Sequence, residues 1–112
     1  MAEEISEETK NLVVQFQTYQ QQLQNVLFQK ESLKLQILEI ERALEELNGT
    51  KQTTAYKITG QIMISKPVEE LKKELNETKE NIDIRIKSLE KTENRMGERL
   101  KDLQTKLKEV IK

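Results

Sequence analysis

Apolar and aromatic residues recur every seven positions along both halves of the chain. The first row is Ile5, Leu12, Tyr19, Val26, Leu33, Ile40 and Leu47; the second is Val68, Leu75, Ile82, Leu89, Met96, Leu103 and Val110. Folded about the middle, the rows face each other member for member, from Leu47 with Val68 to Ile5 with Val110. Heptads sustained on both sides of one turn predict two long antiparallel helices zipped along a seam. In the first half a second row, Thr9, Phe16, Leu23, Lys30, Ile37 and Leu44, completes the seam. In the second half the intermediate row is less regular. Leu71 and Thr78 follow their seven-spaced partners by three residues, whereas Ile86, Leu100 and Leu107 follow by four. The seam is therefore expected to drift near Ile82 to Ile86, with the helices splaying or changing contact there.

Helix 1 is predicted over about residues 6–48. Ser6 is a candidate N-cap, and Glu7 and Glu8 suit the positive end of the helix dipole. Asn48-Gly49 is expected to end the helix, with glycine in the left-handed conformation. Glu45 and Glu46 stand at the unfavourable end of that dipole, and the sequence offers no reason for them. Helix 2 is predicted over about residues 67–111. Pro67 suits the first turn, and Glu69, Glu70 and Glu74 load the early turns with negative charge. At about 1.5 Å per residue, each helix would be roughly 60 to 65 Å long. Lys30, the one charged member of the seam, either tunes register and partner choice or packs its stem and snorkels its amine into water. Snorkelling is the preferred expectation.

The connector changes character. Thr53, Thr54, Tyr56, Ile58, Thr59, Ile62 and Ile64 favour extended structure, which predicts a β-hairpin over about residues 52–65. A three-residue loop, Thr59-Gly60-Gln61, would pair Ile58 with Ile62 and Tyr56 with Ile64 on one apolar face. A two-residue Thr59-Gly60 turn would scramble that face, so the longer loop is preferred. The expected fold is mainly α: a long antiparallel two-helix coiled coil, one unit over residues 1–112, joined by a single hairpin.

Composition agrees. A chain that is 35% charged and only 4% aromatic can bury a seam but not a globular core. Disorder is the competing reading of such polarity, and the sustained apolar period argues against it. The 19 basic residues are interspersed among 20 acidic ones, leaving no stripe that would track a phosphate backbone. No nucleic-acid ligand is expected. The acidic start, MAEEISEE, is unlike a secretory or transit leader, and no apolar run spans a bilayer. No membrane association is expected, and the lack of cysteine fits a reducing, cytoplasmic setting.

Candidate chemistry is sparse. Without histidine or cysteine there is no ordinary nucleophile–base pair and no nitrogen or sulfur metal site, and the glycines at 49, 60 and 97 form no phosphate loop. Catalytic, metal and cofactor sites are all expected to be absent. Exposed acidic pairs such as Glu45-Glu46 and Glu69-Glu70 read as solvated surface. Two binding features remain. One is the hairpin, since an isolated two-stranded hairpin is marginal in water and its edges invite strand addition. Its face either folds back on its own helices or, the preferred reading, joins an inter-subunit sheet. The other is Asn11 to Gln29, which carries no charge. There the seam uses Leu12, Phe16, Tyr19, Leu23 and Val26, leaving Val13, Val14, Leu27 and Phe28 outside it. Such a surface either contacts unfolded chains or merely broadens a packed stripe.

The stretch Ala55-Tyr56-Lys57-Ile58-Thr59-Gly60-Gln61-Ile62-Met63-Ile64, between two matched heptad helices and with Leu89-Glu90-Lys91-Thr92-Glu93 beyond it, resembles the prefoldin family. The likeness is to its β-class subunits of archaeal type and covers essentially the whole chain. The resemblance implies an ATP-independent chaperone of holdase type. It also implies partners: a prefoldin α subunit in a hexamer of two α and four β chains, non-native polypeptides, and a group II chaperonin that receives them. Hairpins would build an inter-subunit β-barrel through Tyr56, Ile58, Gly60, Ile62 and Ile64. A client-holding tip would comprise Ile5, Leu12, Val13, Phe16, Leu103, Leu107, Val110 and Ile111, exposed as the terminal heptads fray. Two other readings stay open: a structural adaptor that binds one folded partner, and a coiled-coil arm of an enzyme that grips RNA.

Overall fold

The structure, a computed structural model, describes residues 6–111, without the side chain of Ile111. Helix α1 (Glu7–Gly49) is followed by strands β1 (Thr54–Thr59) and β2 (Ile62–Pro67) and by helix α2 (Val68–Ile111). Two compact units make up the chain: a hairpin unit, Ser32–Ile86, and a terminal unit formed by Met1–Glu31 and Lys87–Lys112.

The predicted cap is present, with the Thr9 amide donating to Ser6 Oγ at 3.1 Å and the Lys10 amide to the Ser6 carbonyl at 3.0 Å. The expected left-handed glycine at the other end of α1 is not, since Gly60 is the one described residue with positive φ. Instead Gly49 stays helical, the Thr50 amide still reaches the Glu46 carbonyl at 3.1 Å, and Thr50 Oγ1 accepts from the Gln52 amide at 3.2 Å. The threonine hydroxyl thus turns the chain out of the helix. Pro67 closes β2 rather than opening α2. The next amide, Val68, is free to donate to the Thr53 carbonyl at 2.9 Å and ties the hairpin root to the helix start.

Burial follows the heptad rows in both units. In the hairpin unit the core is Leu33, Ile40, Val68, Leu71, Ile82 and Ile86. Ile82 and Ile86 are both buried, so the helices do not splay there as expected. The drift lies one heptad earlier. Covered positions on α2 step from Leu71 to Leu75 to Lys79 to Ile82, while Thr78 is exposed, contrary to expectation, and donates its hydroxyl to the Glu74 carbonyl at 2.9 Å. Two successive steps of four locally unwind a heptad seam. Lys79 joins it as a long stem whose amine meets Glu41 at 3.3 Å. In the terminal unit the covered residues include Val26 and Leu103, and Leu103 is only 1% exposed. Lys30 with Glu93 and Tyr19 with Arg99 run in opposite directions along the two helices, the antiparallel order that the mirrored rows predict.

The hairpin register differs from the expected one. Thr59 pairs with Ile62, Ile58 with Met63, Lys57 with Ile64 and Tyr56 with Ser65, leaving a two-residue loop, Gly60-Gln61. Gly60 has φ +62°, and Gln61 does not share the positive φ. This is the type II′ pattern, with glycine at the first central position and a twist that matches the strands. The turn chemistry decides the register, and the side-chain pattern yields. Tyr56, Ile58 and Met63 therefore occupy one face, while Ile62 and Ile64 lie on the other with Ala55, Lys57 and Lys66.

Candidate assembly hairpin and client-holding surface

The hairpin leaves large apolar groups exposed on both faces. Ile58 is 71% and Tyr56 69% exposed, and Ile62, Met63 and Ile64 are also exposed. The expectation of a single apolar face is thus corrected to two. Met63, which the even-numbered pattern passed over, belongs to the set, because the observed register sets it opposite Ile58.

Beside the Val68–Thr53 backbone bond, lysines from both strands reach one carboxylate of α2. Lys66 Nζ meets Glu74 Oε1 at 2.6 Å, Lys57 Nζ lies 3.4 Å from Glu74 Oε2, and Glu70 lies 3.9 Å from Lys66. Glu74 is thus the hub between both strands and the helix. The Lys66 hydrogen bond, followed by that from Lys57, holds the Glu74 carboxyl below the usual carboxylate range. The same contact with Glu74 raises Lys66 above the usual lysine range. Among the described residues, no element covers the Tyr56–Ile58–Met63 face.

In the terminal unit, Lys30 does not snorkel freely. Its amine donates to Glu93 Oε2 at 2.7 Å and Oε1 at 3.2 Å, with the lysine side chain 13% exposed. The Glu93 hydrogen bond raises the Lys30 pKa. The amine is thus held by the facing helix rather than released into water, contrary to the snorkelling expectation.

The tip residues fall into three groups. Val13 and Val110 are exposed; Leu12, Phe16 and Leu107 are half-buried in the seam; Leu103 is fully covered. Ile5 and the Ile111 side chain lie outside the described residues. Val14 and Phe28, at 60% and 72%, are more exposed than any described member of the expected tip. Both sit on the outermost heptad position of α1, opposite the seam, so they do not broaden a packed stripe. Around them the segment is uncharged, and Gln17, Gln20, Gln21 and Gln24 line a shallow depression.

Among the described residues no cluster of side chains could hold a metal ion, and no helix is long and apolar enough to cross a membrane. The hairpin unit thus carries an exposed two-faced hairpin, and the terminal unit an uncharged surface with exposed apolar residues. Comparison with known proteins places the chain further. The profile of the prefoldin subunit family matches residues 10–112. Prefoldin subunit beta of Archaeoglobus fulgidus is 38% identical over 109 residues, spanning 96% of this chain and 94% of the relative. The protein of the same name from Saccharolobus islandicus is 32% identical over 112 residues, spanning 99% and 89%. The crystal structure of the prefoldin beta subunit from Thermococcus strain KS-1 superposes with a TM-score of 0.84 at 28% identity, covering 96% of each chain. The chain belongs to the prefoldin chaperone family, with the β subunit as its match in sequence and fold.

Proposed function

We propose that the chain is a β-type subunit of a cytoplasmic, ATP-independent holdase. It would assemble with α-type subunits, two α to four β, through hairpins that close an inter-subunit β-barrel. The terminal unit would hold non-native polypeptides and release them to a group II chaperonin, with no catalytic step. One observation carries this reading: large apolar side chains remain exposed at the hairpin and on the uncharged segment of α1, where a lone folded chain would cover them.

For assembly, Tyr56, Ile58, Gly60, Ile62 and Ile64 remain the proposed residues, joined by Met63. For holding, Val13, Val14, Phe28 and Val110 offer standing contacts. Leu12, Phe16, Leu103 and Leu107 become available only as the paired ends open, and several weak arms then act together. The test replaces Val14 and Phe28 by serine in the assembled complex. Suppression of aggregation of an unfolded protein should fall while the mass of the assembly stays the same. Unchanged suppression would remove this surface from the mechanism. Separately, Ile58→Asp and Ile62→Asp should each release the chain from its partners with helicity retained, because the two residues report on opposite faces of the hairpin. An unchanged sedimentation profile for both would remove the barrel.

A further inference from the structure

The terminal unit carries a positively charged groove that its exposed apolar residues do not account for. Tyr19 of α1 and Thr92, Arg95, Met96 and Arg99 of α2 line a depression of about 360 Å³. Tyr19 and Met96 are half-buried, while both arginines are exposed. The Arg99 guanidinium stands 5.9 Å from the centre of the Tyr19 ring. A contact of this kind restrains the guanidinium and leaves its N–H edge free to meet a ligand. On the other side, Arg95 Nη2 lies 3.5 Å from the Thr92 hydroxyl.

Neither arginine has a carboxylate partner. Glu98 and Asp102 lie within one turn of them on α2, yet no ion pair forms with either guanidinium among the described residues. The α1 segment that supplies Tyr19 offers none, since Asn11 to Gln29 carries no charge. Lys91, one turn before Arg95, adds further positive charge. Like charges four residues apart destabilise a helix, and paired helices ordinarily set opposite charges beside their seam. Here that repulsion stands uncompensated, and an anion placed between Arg95 and Arg99 would relieve it.

We propose that this groove holds an acidic residue of a non-native polypeptide. One aspartate or glutamate carboxylate bridges the two guanidiniums, whose N–H forks match its oxygens, and a neighbouring apolar side chain rests on Tyr19 and Met96. Two guanidiniums with Glu98 and Asp102 beside them suit a single carboxylate. They do not suit the run of phosphates in a nucleic acid, whose neutralisation takes a longer basic row. The inference rests on the reading of the terminal unit as the holding surface, and it adds a preference to the apolar contacts: segments with an acidic residue beside an apolar one are held more tightly than neutral ones.

The experiment uses the complex co-purified from this chain and an α-class subunit. Two unstructured peptides serve as probes, one with glutamates beside leucines and one with glutamines in their place. Binding is measured for the wild type, for the double variant Arg95→Gln/Arg99→Gln, and for Arg85→Gln, an exposed arginine of the hairpin unit. The wild type should hold the acidic peptide about tenfold more tightly than the neutral one, the scale of a charge-assisted hydrogen bond. The double variant should lose that preference with helicity unchanged and bind the neutral peptide within about twofold of the wild type, whereas Arg85→Gln should keep the preference. It should also vanish near 1 M salt, where the screening length falls to about 3 Å. Equal binding of the two peptides by the wild type, or an equal loss from Arg85→Gln, would overturn the inference while leaving the apolar holding surface standing. So would a double variant that loses both peptides alike. A single-stranded oligonucleotide that displaces the acidic peptide from the wild type and fails to bind the double variant would make nucleic acid the occupant and overturn the peptide assignment. Failure of the wild type to hold either peptide would instead overturn the holding reading itself.

Discussion

Leu103 gives the sharpest test of how a closed pair of helices holds a client. It is the most thoroughly buried side chain described, at 1% exposure, so Leu103→Ala removes a full set of contacts. Substitutions of this kind cost about 2 to 5 kcal/mol, and the lower half of that range applies where neighbours collapse easily, as on a two-helix seam. At 1.4 kcal/mol per factor of ten, a cost of about 2 to 3 kcal/mol raises the open population of the terminal unit roughly 30- to 150-fold. Amide exchange over residues 6–31 and 87–111 should accelerate by that factor, while residues 32–86 keep their rates. Val110→Ala, at an exposed site, should change exchange by less than about 0.5 kcal/mol equivalent. If clients are held by opened heptads, aggregation suppression by the assembled Leu103→Ala protein is retained or improved. Suppression that falls as exchange rises, in an intact assembly, would refute the fraying mechanism. Unchanged exchange would refute the packing argument beneath it.

Three further outcomes are expected. Glu74→Gln should release the hairpin from α2, seen as faster exchange of β1 and β2 amides with helicity unchanged. In the wild type the depressed Glu74 pKa stabilises the tether above the ordinary carboxylate range and loses that contribution as pH falls through the folded value; the raised Lys66 pKa stabilises it up to the lysine range and loses that contribution as pH rises through the folded value. Hairpin protection should therefore hold between those limits, and Glu74→Gln should abolish its acid limb. Gly60→Ala meets no atom within 4 Å but must adopt φ +62°, at a cost of about 1 to 2 kcal/mol. Assembly affinity should weaken about tenfold with no change in helicity, whereas an unaffected affinity would argue against the observed turn. Lys30→Met leaves Glu93 without its partner at 2.7 Å and should lower the melting temperature of the terminal unit. Adding Glu93→Gln should restore it, and failure of the second change to do so would show that the loss does not come from the unpaired Glu93 carboxylate.

The helices were legible because seven-residue spacing survives any detail of packing. Every expected seam position of α1 from Thr9 to Leu47 is covered in the structure, and Ser6 caps it as its hydroxyl and position predict. Other features depended on which residues meet across a gap. Glu93 was invisible as the partner of Lys30 because a shift of one turn would have offered Glu90 or Gly97 instead. The seam drift was read from spacing, which carried Thr78 as a seam member three residues after Leu75. The long lysine stem covers the seam better than the threonine, which satisfies its hydroxyl on its own helix. The stop at Gly49 was assigned to backbone freedom, although the Thr50 hydroxyl performs the task.

The hairpin register carries the most information about function. Alternation of Tyr56, Ile58, Ile62 and Ile64 suggested one sorted face, the expected pattern for a hairpin that covers its own core. A glycine that takes φ +62° at the first position of a two-residue loop overrides that sorting and divides the apolar groups between faces. For a chain alone the division is a liability, since one face cannot be buried without exposing the other. Within a barrel it is useful, because one face packs inward while the other remains free to meet helices or neighbouring strands. The mismatch between side-chain pattern and turn chemistry is therefore itself an argument for assembly: the sequence of this hairpin suits surroundings that its own two helices do not provide.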